Sequence, residues 1–189
     1  MTNEPRLYMI LLGCRPKGRH TEQHDLFFTI AESLPATLPA IKAFWPDGGT
    51  IHIDAWREVR QVDGRAVEIQ ERNEASQHAD TLKLFFVNLG GYKPGEFEEF
   101  HYKMVVAAAD KGAAIQRAKE TAFYKHTGFK GATSHVDDKY GIDVDDAEAI
   151  EDILPEALRA RYRVCLLPPA NTTEDELHLG YLKLSKLEA

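Results

Sequence analysis

Histidine and carboxylate side chains occur in this chain at a spacing of two residues. Glu22 precedes His24 by two positions, and His52 precedes Asp54 by the same interval. In an extended strand, side chains two positions apart lie on the same face of the sheet, so each pair can act together. Imidazole and carboxylate groups are good ligands for Zn, Fe or Mn, and they also serve as general acids and bases. The pattern is compatible with a metal centre or an acid–base site.

The same polar pattern is repeated later in the chain. Nine of the 37 positions from Leu7 to Ala43 are identical to those from Leu84 to Glu120, an offset of 77, whereas about two identities are expected for unrelated sequences. With six residues inserted in the second copy, the T-x-H-x-D element at Thr50 recurs at Thr133. The sequence therefore predicts an internal duplication. The candidate ligand-binding residues are those shared by both copies: Gly13, Gly18, Glu22, His24, His52 and Asp54, and Gly90, Gly95, Glu99, His101, His135 and Asp137.

These recurrent residues allow three interpretations. The histidines can form hydrogen bonds that fix the glycine loops, they can line a pocket for a small polar ligand, or they can bind a divalent metal. The leading hypothesis is a protein that binds a small ligand or a protein partner without catalysis. The alternative is a metal-dependent enzyme that uses the His, Asp and Glu residues of each copy. The sequence identifies no cofactor.

Two glycine-rich loops precede the recurrent carboxylates. Gly13 to Gly18 and Gly90 to Gly95 have the glycine spacing of a phosphate-binding P-loop, but the lysine and hydroxyl residues that should follow are absent. The glycines are better explained by a loop that needs positive φ angles. Cys14, in the first loop, is also a candidate nucleophile beside Arg15.

Hydrophobic patterning predicts an α+β fold. In the first copy we expect the order β-β-α-β-β: strands at 7–12 and 25–31, a helix after Ser33 that Pro39 shortens or kinks, a strand at 50–59, and an Asp63-Gly64 turn into 66–69. In the second copy we expect strands at 82–87 and 102–108, helices at 113–124 and 145–158, and strands at 162–167 and 177–184. Two homologous β-β-α-β-β repeats should pack together, with mainly antiparallel sheet and the helices on one side. A polar stretch at 71–80 places the boundary near Gln77, so residues 1–77 form the first repeat and 78–189 the second.

Composition excludes several classes of protein. With 23 basic and 30 acidic residues, the chain has a net charge of −7, which disfavours binding to nucleic acid or to anionic lipid. The apolar run from Leu7 to Leu12 is too short for a membrane span or a secretory signal, so we expect a cytoplasmic protein. Two cysteines, Cys14 and Cys165, are too few for a disulfide framework. A small molecule or another protein is the expected partner, and the sequence does not indicate the oligomeric state.

The motifs resemble a known family. An L-x-G element ends the first strand, E-x-H-D begins at Glu22, and H-I-D-A begins at His52. This pattern is similar to the bacterial proteins grouped as a domain of unknown function, number 1543, which occur with one or two copies per chain. The resemblance covers residues 7–59 and 82–144, although Tyr102 replaces the acidic residue that follows the histidine. It implies a cytosolic bacterial protein with duplicated domains and implies no particular chemistry.

Overall fold

The chain divides into two structural units, one of which is formed by two separate segments. The structure, a computed structural model, describes residues 4–72, 81–92, 95–126, 143–168 and 174–188. Residues 1–76 and 154–189 form unit 1, and residues 77–153 form unit 2. None of the helices in the described ranges is long and apolar enough to cross a membrane.

The described residues of unit 1 form two antiparallel sheets. Its elements are β1 Arg6–Cys14, β2 Gln23–Ala31, α1 Leu38–Phe44, β3 His52–Glu58, β4 Gln61–Val62, β5 Arg65–Glu71, α4 Glu156–Arg161, β9 Tyr162–Leu167 and β10 His178–Lys183. The larger sheet has the strand order β10-β3-β1-β2, and the smaller has the order β4-β5-β9. Strand β1 is an inner strand of the larger sheet. Its residues Tyr8, Ile10 and Leu12 are almost fully buried in one core.

Local signals in the first copy act as expected. A 3-10 turn at Pro35–Thr37 leads into α1, and Pro39 falls in the first helical turn, where the absent N–H removes no helical hydrogen bond. The helix is short, and Ile41 anchors it in the core. Asp63 and Gly64 have φ angles of 54° and 74° and join β4 to β5, as a two-residue hairpin with positive φ at both positions requires.

The C-terminal segment belongs to unit 1, which differs from the predicted extent of the second repeat. Strand β9 pairs with β5, and β10 pairs with β3, so residues 154–189 complete the sheets of the first unit. Sequence order placed these strands with the second copy. Their partners are set by long-range pairing, which no local pattern encodes.

In its described residues, unit 2 has a three-stranded antiparallel sheet and one long helix. Its elements are β6 Lys83–Tyr92, β7 Glu99–Ala108, α2 Lys111–His126, β8 Asp143–Ala149 and α3 Ile150–Ile153, and the strand order is β7-β6-β8. Asp110 caps α2, because its Oδ1 accepts a hydrogen bond of 2.8 Å from the Ala113 backbone N–H. Ala114 and Ala118 of α2 are fully buried in the core of this unit.

The predicted helix at 145–158 is wrong. Residues 143–149 form strand β8 along β6, and only the short helices α3 and α4 follow, with Pro155 between them. Asp145 and Asp146 suit a helix N-terminus, and aspartate is disfavoured in strands, but the unpaired edge of β6 gives this segment a hydrogen-bonding partner. The predicted α+β class with mainly antiparallel sheet is confirmed. Packing of two repeats against each other, with helices on one side, stays a prediction.

Candidate functional site

Four of the recurrent polar residues meet at the end of β1 in unit 1. Gly13 is the pairing partner of His24 in β2 on one side and of His52 in β3 on the other. Glu22 directly precedes β2, and Asp54 lies two residues after His52. We call Glu22, His24, His52 and Asp54 the unit 1 cluster.

The side chains of this cluster converge on a common point. His52 Nε2 lies 3.1 Å from Glu22 Oε1 and 3.2 Å from Asp54 Oδ1. His24 Nε2 lies 3.3 Å from Asp54 Oδ2 and 3.6 Å from Glu22 Oε2. Each imidazole nitrogen therefore faces both carboxylates, and each carboxylate faces both imidazoles.

A β-bulge helps to bring Asp54 to this point. Leu11 pairs with Ala55 and Leu12 pairs with Ile53, so the β1–β3 ladder passes over Asp54. The β10–β3 ladder is also irregular here, because Leu179 pairs with Ala55 and the next pair is Leu182 with Ile53. Bulges bend a strand and re-aim a side chain, and they are common next to functional sites.

Gly13 leaves room for the cluster because it has no side chain. A Cβ atom at this position would overlap with Asp54 Oδ2 and His52 Nε2, and it would lie 2.9 Å from His52 Cε1. The backbone of Gly13 does not have a positive φ. This glycine is therefore required by the close approach of the two side chains and not by its own conformation.

Ordinary hydrogen bonding does not account for His52. Its side chain is only 6% exposed, and, within the described parts of the chain, neither its Nε2 nor Asp54 Oδ2 has a hydrogen-bond partner. An imidazole Nε2 carries at most one proton, which cannot point at two carboxylates at once. Buried polar atoms normally find partners, so these two atoms are available to bind a ligand.

Strand β10 covers His52 from outside the first copy. The Tyr181 ring packs on the His52 ring at 4.3 Å between centroids, and His178 stacks on Trp56 at 3.8 Å. Gly180, with a φ of 116°, lies in the irregular part of this ladder. Sequence analysis predicted a strand here, but it gave no signal that its residues belong beside the first copy.

Gly18 and Gly95 have a different role from Gly13 and Gly90. Both have positive φ angles, 84° and 81°, and a Cβ on either would meet no atom within 4 Å. These two glycines allow the positive φ angles that the two loops require. Gly90, in contrast, would bring a Cβ to 2.5 Å from Asp145 Oδ2.

In unit 2, the structure brings Asp145 to the recurrent residues Glu99 and His101. Asp143 is paired with Gly90 in the same way that His52 is paired with Gly13. Strand β8 thus pairs with β6 as β3 pairs with β1. The predicted site residues His135 and Asp137 lie outside the described ranges. Asp143-Val144-Asp145 repeats the spacing of His52-Ile53-Asp54 with aspartate in place of histidine, a signal that a search for histidine misses.

Cys14 does not have the environment of a nucleophile. It is fully buried, and burial, followed by the nearby charges of Asp47 and Glu22, raises the pKa of its thiol. A reactive cysteine needs a lowered pKa and access to solvent. The structure therefore argues against catalysis by Cys14.

Comparison with known proteins supports the family resemblance and the fold. Residues 19–69, which include the unit 1 cluster, match the Domain of Unknown Function (DUF1543). The chain is also similar to the crystal structure of protein Il1583 from Idiomarina loihiensis, with a TM-score of 0.62 and 22% identity over 96% of this chain and 99% of that chain. At this identity the likeness shows the fold alone. No curated protein matches the chain.

Proposed function

We propose that this protein binds a divalent metal ion, and that Glu22, His24, His52 and Asp54 hold the ion in unit 1. The observation that carries the proposal is the convergence of two imidazole nitrogens and two carboxylates, with separations of 3.1–3.6 Å between them. This proposal develops the metal-dependent alternative of the sequence analysis and includes no reaction.

The separations agree with the size of a metal centre. Donors about 2.1 Å from a zinc ion in tetrahedral geometry stand about 3.4 Å from each other. A cation at the common point would also give His52 Nε2 and Asp54 Oδ2 the partner that they lack. A hydrogen-bonded network explains the cluster less well, because it leaves these two buried atoms unsatisfied.

Charge and donor type indicate which ion is bound. Two carboxylates with two neutral imidazoles carry a charge of −2, which one divalent cation neutralises. Imidazole favours Zn, Fe, Ni and Cu over Mg and Ca, and carboxylate is accepted by the borderline ions of this group. We therefore propose a first-row divalent ion, for which Zn²⁺ is the natural probe.

We further propose that the chain arose by duplication of one β-β-α-β unit. In both halves the first two strands pair with the same register at an offset of 77 residues: Gly13 opposite His24, and Gly90 opposite His101. In both halves the third strand carries a bulge, next to Leu12 and next to Leu89, and this bulge contains Asp54 or Asp145. The cytoplasmic location and the binding of a small molecule or protein partner stay predictions.

Metal titration of the full chain tests the proposal. Untagged protein would be stripped of metal with a chelator, dialysed, and titrated with Zn²⁺ against a chromophoric competitor. We expect unit 1 to bind one zinc ion, and His52→Ala to weaken that binding at least about 100-fold. His20→Ala is the matched control, because His20 is an exposed loop histidine that makes no part of the cluster.

A second variant separates ligand loss from misfolding. Asp54→Asn keeps the shape of the side chain but weakens its ability to bind a cation, and Asp25→Asn is its control on the exposed part of β2. Circular dichroism and thermal melting of the metal-free proteins would establish that each variant is folded. Zinc binding that is unchanged in both His52→Ala and Asp54→Asn would refute the proposal.

A further inference from the structure

Unit 2 holds a second cluster with a different set of donors. One ligand atom from each of Glu99, His101 and Asp145 lies within 4.8 Å of the others, and His101 Nε2 is 3.2 Å from Asp145 Oδ2. We call these three residues the unit 2 cluster. It contains one imidazole nitrogen and two carboxylates, whereas the unit 1 cluster contains two of each.

The backbone of unit 2 positions this cluster as unit 1 positions its own. The β6–β8 ladder runs from Asn88 paired with Asp146 to Leu89 paired with Val144, so it passes over Asp145. A Cβ at Gly90 would lie 2.5 Å from Asp145 Oδ2 and 2.9 Å from Oδ1, closer than real Cβ contacts. The bulge and the glycine thus bring the same three residue types together in both units.

The two clusters differ at one position. Where β3 has His52 opposite the glycine, β8 has Asp143. The unit 2 cluster therefore has no second imidazole among the described residues, and its larger share of oxygen donors suits harder ions such as Mn²⁺ better than Zn²⁺. Selectivity between ions should therefore differ between the two units.

The two clusters also differ in cover. In unit 1, His52 is 6% exposed beneath Tyr181 of β10. In unit 2, the His101 and Asp145 side chains are 37% and 33% exposed, and β7 and β8, which carry the three residues, are the two edge strands of the described sheet. A metal ion at this site would keep bound water and exchange readily, because fewer protein donors surround it and solvent reaches it.

We infer that unit 2 contains a second, weaker divalent-metal site formed by Glu99, His101 and Asp145. The ratio of Mn²⁺ affinity to Zn²⁺ affinity is higher at this site than at the unit 1 cluster. This inference extends the proposed metal-binding function to a separate set of residues. The two sites can therefore fail independently.

Mn²⁺ binding to the full chain tests this inference. The electron paramagnetic resonance signal of free Mn²⁺ falls when the ion binds protein, so a titration gives affinity and stoichiometry. In a His52→Ala background, which disables unit 1, we expect one Mn²⁺ site to remain. Glu99→Gln or Asp145→Asn in that background should weaken it at least about tenfold.

Controls make each outcome decisive. Asp146→Asn is the matched control, because Asp146 is adjacent to Asp145 and contacts Asn88 and not the cluster; it should change Mn²⁺ affinity by less than about twofold. If His52→Ala does not fold, Asp54→Asn supplies the background. Retained Mn²⁺ binding in both Glu99→Gln and Asp145→Asn, or no Mn²⁺ binding in the His52→Ala background, would overturn the second site. Loss of zinc from His52→Ala with no Mn²⁺ site would leave the proposed function standing and this inference refuted.

Discussion

Substitution of Gly13 by alanine should separate metal binding from folding. The added Cβ would overlap with Asp54 Oδ2 and His52 Nε2, so at least one of these atoms must move. His52 has little freedom, because it is buried and Tyr181 packs on its ring. The added methyl group therefore displaces donor atoms and leaves the chemical identity of every donor unchanged.

The magnitude of the Gly13→Ala effect follows from two opposing terms. Crowding in a packed interior costs about 1–3 kcal/mol. Because Gly13 has no positive φ, alanine also removes a glycine penalty of about 0.5–1 kcal/mol. The metal-free variant should thus lose about 2.5 kcal/mol or less, and its zinc affinity should fall about 100-fold, which is about 2.7 kcal/mol.

Urea unfolding with and without zinc measures both effects in one experiment. At a zinc concentration of about 1,000 times the wild-type Kd, the ion stabilises the wild type by about 4.1 kcal/mol, and a variant with a 100-fold weaker site by about 1.4 kcal/mol. Gly48→Ala is the matched control: its Cβ would lie 3.0 Å from Ile51 Cγ1 and 3.2 Å from Cys14 Sγ, and no cluster residue is among its nearest contacts. A full zinc stabilisation in Gly13→Ala would refute the reasoning.

Three further substitutions test the surroundings of the site. Tyr181→Ala should lower stability by about 0.5–1.5 kcal/mol and weaken zinc binding, because it removes the ring that packs on His52. Asp175→Asn should lower the urea midpoint by an amount equivalent to about 1–3 kcal/mol, because it leaves the half-buried Arg57 guanidinium without the charge of the buried Asp175 carboxylate. Burial raises the pKa of Glu58, but hydrogen bonds from two arginine side chains outweigh it and lower that pKa below 4.5. The contribution of ionised Glu58 to the stability of the fold is therefore present above pH 4.5 and is lost as the pH falls through the folded-state pKa. In a plot of urea midpoint against pH, Glu58→Gln should therefore make the fall at acidic pH less steep.

Each of these predictions has a result that contradicts it. Leu179→Ala, at an exposed position of β10, is the control for Tyr181→Ala, and equal zinc affinities in the two variants would exclude a positioning role for the ring. Glu176→Gln is the control for Asp175→Asn, because Glu176 is exposed; equal midpoints would show that the Arg57 pair adds nothing. If the urea midpoint falls as steeply at acidic pH in Glu58→Gln as in the wild type, ionisation of Glu58 does not contribute to stability.

Much of the local structure was predictable from the sequence. The apolar run at Leu7, the Asp63-Gly64 turn and the Asp110 cap each depend on neighbours in the chain, and each appears where its pattern indicates. The spacing also predicted that Glu22 lies on the same face as His24, and His52 on the same face as Asp54. The spacing did not predict that the two pairs would meet. Local propensity failed at Asp145, because pairing with β6 outweighs the preference of aspartate for helix caps.

The sequence by itself determined the candidate donors, the α+β character and the recurrence of glycine, glutamate and histidine at a constant offset. These features depend on residue type and spacing, which can be read directly from the sequence. The tertiary structure alone decided that Asp145 joins Glu99 and His101, and that the C-terminal strand covers His52. Both outcomes arise from strand pairing between distant segments, whose register and partner depend on burial and hydrogen bonding across the whole sheet.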